Sequence, residues 1–240
     1  MKVTWYVARV VQKIAGIMNL KIENMYDPSR TKIENKIINT VKPYTFTPVH
    51  AILSLIDSVK YIIKNDIKGS LVECGVWKGG SVMAIIMTLQ EMGVNNRHIY
   101  LYDTFEGMSE PGIEDKRADG TPIYNEGNEY VISSLDTVKE NIKKLGYDMN
   151  KIHFVKGKVE DTLSKTTPDS IALLRLDTDW YESTKYELEC LYPKLSKQGV
   201  LIIDDYESFL GCKKATDEYL KETILFHRIV PSGARIGVKY

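Results

Sequence analysis

Ile171-Ala172-Leu173-Leu174-Arg175-Leu176-Asp177-Thr178-Asp179 and Gly199-Val200-Leu201-Ile202-Ile203-Asp204-Asp205 are two short, apolar runs that each stop at an acidic cluster. Such runs read as buried strands of a parallel sheet. In sheets of this kind ligands bind outside the carboxyl ends of the strands. Four carboxylates delivered to one rim repel one another unless a cation sits among them. Their hard oxygens suit Mg²⁺ or Ca²⁺. The chain therefore reads as an α/β protein with a divalent cation at its sheet edge.

Outward from this pair the same alternation continues. Residues 71–75, 98–103 and 152–155 form three more apolar runs of strand length, and residues 79–92, 134–145 and 183–192 read as helices between them. A further helix is predicted over 48–64, where Ile52, Leu55, Ile56, Val59 and Ile63 recur at helical spacing. Near the end, Ile224 to Val230 and Arg235 to Lys239 flank Pro231-Ser232-Gly233 and read as an antiparallel hairpin. The expected fold is a doubly wound, Rossmann-like, mostly parallel seven-stranded sheet closed by a C-terminal antiparallel hairpin. Residues 1–43 read as a helical and irregular extension and 44–240 as the α/β domain. The Gly-, Pro- and acid-rich stretch 107–130 is long enough to be a functional lid.

The 240 residues suit one such domain. Lys+Arg 32 balances Asp+Glu 32, so no global field favours nucleic acid or an anionic membrane. Cys74, Cys190 and Cys212 are an odd number without metal-ligand spacing. That argues for a reducing, cytoplasmic compartment rather than a disulfide framework. The apolar stretch from Trp5 to Met18 is broken by Arg9, Gln12 and Lys13, too short and too charged to span a bilayer. It reads as an amphipathic helix that covers its own domain or closes a homo-oligomer.

Glu73-Cys74-Gly75-Val76-Trp77-Lys78-Gly79-Gly80-Ser81 joins the first strand to its helix. The dinucleotide fingerprint wants glycine where Glu73 stands, and a carboxylate there repels phosphate. It suits a cationic ligand with an amino group, as S-adenosylmethionine has, whose carboxylate would meet the N–H groups near Gly80 and Ser81. Asp103, beside Thr104, ends the second strand where an acid can accept from both ribose hydroxyls. After the third strand, Val159 could lie against an adenine, with Glu160 or Asp161 accepting from its amino group. Alternatively, Asp161-Thr162 caps a short helix. The candidate cofactor residues are thus Glu73, Gly75, Val76, Gly79, Gly80, Ser81, Asp103, Thr104, Val159, Glu160 and Asp161.

These blocks, together with Tyr102-Asp103-Thr104-Phe105-Glu106-Gly107-Met108, Leu176-Asp177-Thr178-Asp179-Trp180-Tyr181-Glu182-Ser183-Thr184, Leu191-Tyr192-Pro193-Lys194-Leu195 and Ile202-Ile203-Asp204-Asp205-Tyr206, resemble the TylF-type macrocin O-methyltransferases. The likeness runs from about Tyr44 onward, with the blocks in order. It implies a class I methyltransferase fold, S-adenosylmethionine, and Mg²⁺-dependent transfer to a sugar hydroxyl, with Mn²⁺ an acceptable substitute. By position it implies Asp177, Asp204 and Asp205 as metal ligands and Asp179 as general base. Asp179 as a fourth ligand is the alternative, and then His50, His98, His153 or His227 must be weighed as base. The acceptor expected is a glycoside or sugar, although the same chemistry fits a catechol-like diol.

Three rivals are weaker. Asp177-Thr178-Asp179 matches the Asp-x-Asp signature of some glycosyltransferases, which leaves Glu73, Asp103 and Asp204-Asp205 unexplained. A nicotinamide enzyme fails on Glu73, and Asp103 lies further past Gly75 than the roughly 20 residues of the dinucleotide pattern. A non-catalytic cofactor-binding module predicts binding without turnover.

Overall fold

A computed structural model describes residues 30–123, 131–221, 226–229 and 232–240. The expected N-terminal amphipathic helix lies outside the described residues. The chain divides into two compact units, Met1–Asn35 and Lys36–Tyr240, so the break falls ahead of the 43/44 boundary read from the sequence. It lies within helix α1, Lys32–Val41, whose Ile37, Ile38 and Val41 are buried in the second unit.

Helix α2, Val49–Lys64, begins after Pro48, whose fixed φ suits a helix start. Its buried stripe is Ile52, Leu55, Ile56, Val59 and Ile62; Ile62, not the expected Ile63, closes it. From Ser70 onward strands and α-helices alternate until the closing hairpin. Strand β1 (Ser70–Cys74), helix α3 (Gly80–Glu91) and strand β2 (Ile99–Asp103) come first. Helix α4 (Leu135–Lys143), capped by the Ser134 hydroxyl accepting from Thr137 N–H, leads to strand β3 (Ile152–Lys156). The short helix α5 (Val159–Thr162), strand β4 (Ile171–Leu176), helix α6 (Tyr181–Leu191) and strand β5 (Leu195–Ile203) follow.

No helix was expected between 205 and 224, yet α7 occupies Leu210–Leu220. Its buried positions are Gly211, Cys212, Ala215, Thr216 and Leu220. These residues have helical spacing, but most carry little apolar surface, so the hydrophobic pattern that announces other helices is faint here. Strands β6 (Phe226–Ile229) and β7 (Ala234–Val238) form the expected hairpin.

The seven strands run in the order β3-β2-β1-β4-β5-β7-β6. The first five are mutually parallel, and β7 is antiparallel to both β5 and β6. All six residues of β4 are buried, as befits a central parallel strand covered on both faces. Alternate residues point to opposite faces. Val72 and Cys74 of β1, Leu174 and Leu176 of β4, and Leu201 and Ile203 of β5 pack with Leu188 and Leu191 of α6 and Cys212 and Leu220 of α7. Glu73 and Arg175 belong to the opposite set, and the register places them side by side. Strand order reverses between β1 and β4, the switch point at which a doubly wound sheet opens a crevice. No helix among the described residues is long and apolar enough to cross a membrane.

Candidate active site

A cavity of about 390 Å³ opens at that switch point. Its floor carries Glu73, Asp177, Asp179, Asp204 and Asp205 from the ends of β1, β4 and β5. The two acidic clusters therefore meet on one rim, as the sequence requires.

The cation expected among these carboxylates has a protein counterpart. The Arg175 guanidinium, 1% exposed, sits between them. Its Nη1 donates to Glu73 Oε1 at 2.8 Å and to Asp177 Oδ2 at 2.7 Å. Its Nη2 donates to Thr47 Oγ1 at 2.9 Å and forms an ion pair with Asp204 Oδ1 at 3.1 Å, without hydrogen-bond geometry. Burial alone would lower the Arg175 pKa, but Asp177, Asp204 and Glu73 outweigh it and hold the guanidinium charged. A planar fork is the one side chain that can serve several acceptors in this way.

One charge does not balance the cluster. Glu73 Oε2, Asp204 Oδ1 and Asp205 Oδ2 are buried and have no hydrogen-bond partner. Burial pushes Glu73 up to about 8, with Arg175 opposing and Asp177 and Asp204 reinforcing the rise. Asp177 is pushed up to about 6, chiefly by burial, against the pull of Arg175. Asp179 rises through burial and the nearby charge of Asp177, and Asp205 through burial and the charge of Asp179. These acids retain protons in the folded protein that the unfolded chain releases near pH 4. Folded protein then binds more protons than unfolded protein between about pH 4 and pH 8, so stability falls as pH rises through that window. Metal-stripped protein should melt at a lower temperature at pH 8 than at pH 5, by circular dichroism, and Glu73→Gln should flatten the slope. A melting temperature that rises over this range would contradict the burial of these acids.

Ligand atoms of Asp177, Asp179 and Asp205 lie within 4.8 Å of one another. Asp204, expected among the metal ligands, is not part of that group and turns to Arg175 instead. Asp179, expected as base or as fourth ligand, belongs to that group, and its backbone takes a left-handed φ of 67°. Three hard oxygen donors, with an unpartnered Asp205 oxygen, fit a divalent cation. The unpartnered Glu73 oxygen fits an ammonium group.

The first turn is built as expected at its start. Gly75, at φ 81°, passes so close to the Asp177 backbone that a Cβ there would collide with the Asp177 carbonyl. Gly75, Val76 and Ser81 line the cavity, whereas Gly79 and Gly80 do not. A Cβ on Gly80 would strike Tyr44 and Thr45, so its role is to let the 44–48 segment pass. That segment was not read from the sequence as part of the site. It forms one wall of the cavity and brings Thr47 to Arg175 and, at 3.3 Å, to the Ser81 hydroxyl. Phe46 stacks on Trp77 with ring centroids 4.0 Å apart.

Asp103 lines the cavity, but both its oxygens already serve the protein. Oδ2 accepts from Val76 N–H at 2.6 Å and Trp77 N–H at 3.0 Å, and Oδ1 accepts from Phe105 N–H at 2.6 Å. With two acceptor sites per oxygen, Oδ2 is filled and only Oδ1 keeps one for a further donor. Thr104 lines the cavity while its hydroxyl donates to Gly107 O at 2.5 Å. Val159 and Glu160 line the cavity; Asp161 is exposed, away from it, and Lys158 rather than Asp161 occupies the cap of α5.

The 107–123 part of the expected lid is anchored rather than loose. Buried Asp115 accepts from Gly112 N–H at 2.7 Å and from Tyr181 N–H, the first residue of α6, at 2.8 Å. A Cβ on Gly211 would strike the same carboxylate, so Gly211 at the start of α7 makes room for it. Trp180 Nε1 donates to Ser109 O at 2.9 Å. Gly107, Met108 and Ser109 reach the cavity. Tyr124 and Tyr130, in the remainder of that stretch, lie outside the described residues. Of the four histidines, none lines the cavity; His98 and His153 instead pair with each other, Nδ1 to Nε2, at 2.7 Å.

Comparison with known proteins places this geometry. The sequence model of the macrocin-O-methyltransferase (TylF) family matches residues 19–230. The demethyldecarbamoylnovobiocin O-methyltransferase of Streptomyces niveus is 32% identical over 176 residues, covering 73% of this chain and 67% of its own. A tetracenomycin-C-derivative 4'-O-methyltransferase of Streptomyces olivaceus is 34% identical over 171 residues, covering 70% of this chain and 65% of its own. The chain thus matches about two thirds of the length of these relatives. Among solved structures, the O-methyltransferase NovP superposes with a TM-score of 0.75 at 26% identity over 98% of both chains. The calicheamicin methyltransferase CalS11 shares the fold, with a TM-score of 0.65 at 18% identity over 91% of this chain and 97% of its own.

Proposed function

Because the chain belongs to the TylF macrocin-O-methyltransferase family and is thereby an S-adenosylmethionine-dependent O-methyltransferase, we propose that it methylates a hydroxyl of a sugar or glycosylated small molecule with a divalent cation bound. The observation that carries this reading is the pair of buried carboxylate oxygens on Glu73 and Asp205 that have no hydrogen-bond partner at one cavity. Buried anionic acceptors left without donors call for cationic partners. Glu73 Oε2 would take the donor's ammonium, Asp103 and Thr104 its ribose, and Val159 with Glu160 its adenine. Asp177 and Asp205, the two acids common to the expected ligand set and to the group whose oxygens lie together, would hold Mg²⁺ or Mn²⁺. S-adenosylmethionine supplies an electrophilic methyl group, and the cation lowers the pKa of a chelated hydroxyl and fixes its position.

The remaining work falls to the protein. Asp179, raised above the usual carboxylate range by burial and by Asp177, is poised to take the acceptor's proton near neutral pH. Arg175 keeps Glu73 and Asp177 in fixed relation, so the donor end and the acid end of the cavity share one rigid partner. The Ser109 backbone, pinned by Trp180, supports the acceptor side of the wall. A sugar acceptor is favoured over a catechol because the Streptomyces olivaceus relative is named for a rhamnosyl-bearing compound.

Incubation of the protein with S-adenosylmethionine and a panel of vicinal-diol glycosides, rhamnosides included, tests this. S-adenosylhomocysteine should form in step with methylated sugar, cease with EDTA and return with Mg²⁺. Turnover that survives EDTA would remove the cation from the reaction. Turnover of catechols and no glycoside would move the acceptor class.

A further inference from the structure

Glu187, on α6, is 0% exposed, yet its neighbours Leu188 and Leu191 show that this face of α6 is an apolar packing surface. A carboxyl group in such a place costs far more than a leucine unless its hydrogen bonds matter. Both its oxygens converge on one hydroxyl: Thr178 Oγ1 lies 3.0 Å from Oε1 and 3.1 Å from Oε2. Thr178 is the residue between Asp177 and Asp179, and it lines the cavity. Its carbonyl accepts from Trp180 N–H at 2.8 Å and from the Ser183 hydroxyl at 3.4 Å, so the turn is tied to α6 at both its side chain and its backbone. Asp179, next in sequence, holds a left-handed φ of 67°, a conformation that aspartate accepts more readily than most side chains and that the ties on Thr178 help to fix.

We propose that Glu187 is a positioning residue for methyl transfer, holding the Asp177-Thr178-Asp179 turn through the Thr178 hydroxyl so that Asp177 and Asp179 face the cavity together. It acts from behind the turn and touches neither donor nor acceptor. The inference rests on the reading of the acid cluster as a cation site. Glu187 also accepts from the buried Cys74 thiol, which lies on the core side of β1 and does not line the cavity. Glu73 and Asp103, which face the donor, bond instead to Arg175 and to the Val76, Trp77 and Phe105 N–H groups, so donor binding should be indifferent to the clamp.

Calorimetric titration of the full chain with Mn²⁺ and, separately, with S-adenosylhomocysteine distinguishes these effects. Glu187→Leu should weaken Mn²⁺ binding by roughly 10- to 100-fold, the usual effect of losing a partner behind a metal ligand. S-adenosylhomocysteine affinity should stay at the parental value. Glu187→Gln, whose amide oxygen still accepts from Thr178, should recover most of the Mn²⁺ affinity. Should Glu187→Leu not fold, Thr178→Val removes the same hydrogen bond at nearly constant volume and should show the same split. Parental Mn²⁺ affinity in the folded variant would overturn the proposal, as would parallel loss of both ligands without recovery by glutamine. Asp205→Asn separates the two levels. If it abolishes Mn²⁺ binding while Glu187→Leu does not weaken it, the clamp alone fails. If Asp205→Asn leaves Mn²⁺ binding intact, or the parent binds none, the cation site fails and the clamp with it.

Discussion

Asp179→Asn should lower turnover of a glycoside acceptor by about 10²- to 10⁴-fold, the range a positioned general base contributes, and leave S-adenosylmethionine affinity unchanged. The substitution replaces the proton-accepting carboxylate by a neutral amide of the same size beside Asp177 and Asp205. Asparagine tolerates the left-handed backbone that position 179 adopts, so the turn survives. The donor side of the cavity, built on Glu73 and Arg175, is untouched. In the parent, the pH–rate profile should fall on its acid side as Asp179 gains its proton, at a pH above the ordinary carboxylate range because burial and Asp177 raise it. Burst and steady-state measurements of S-adenosylhomocysteine release would check both points. Parental turnover in the variant would return the role of base to another group.

Arg175→Met should destabilise the protein by about 3–5 kcal/mol, the usual result of removing one partner from a buried ion pair. For a chain of this size that lowers the melting temperature by roughly 6–20 °C. Methionine fills the aliphatic volume, so the loss comes from Glu73, Asp177 and Asp204 facing one another without compensation. Two consequences separate this from a packing defect. The loss should be smaller at pH 5, where those acids are more fully protonated, than at pH 8. The double variant with Glu73→Gln should recover part of the loss, since the two positions share one contact. Melting curves of the four proteins at both pH values decide the matter, and a loss independent of pH and of residue 73 would mean the charges are not its source.

The sheet and the meeting of its two acidic ends were legible because they rest on signals of large amplitude. Continuous apolar runs such as 171–176 and 199–203 permit little besides buried strands, and a parallel sheet then brings their ends to one rim. What escaped was written in small or single residues. Arg175 was visible only as a polar interruption in an apolar run. Its meaning depends on the register that sets it opposite Glu73, a non-local fact. Helix α7 hides behind Gly211, Cys212, Ala215 and Thr216, whose small size serves close packing and the Asp115 carboxylate rather than a hydrophobic stripe. Thr47 and Glu187 reach the site from elements whose patterns say helix or turn and nothing of chemistry. That Asp204 pairs with Arg175 while Asp179 lies beside Asp177 and Asp205 was likewise beyond reach, because it depends on which residues the register sets around Arg175.

The place of β7 carries a consequence for how this protein comes into being. The strand that separates β5 from β6 follows both of them in the chain. On a ribosome, β5 is therefore complete while its outer edge, Val200 to Ile203, still has no neighbour, and residues 234–238 must emerge before that edge is sealed. An apolar strand with an open edge is a template for the wrong partner. Strand β7, made after both its neighbours, thus acts as the bolt on this side of the sheet, and agents that shield nascent chains should matter most in the interval before it arrives.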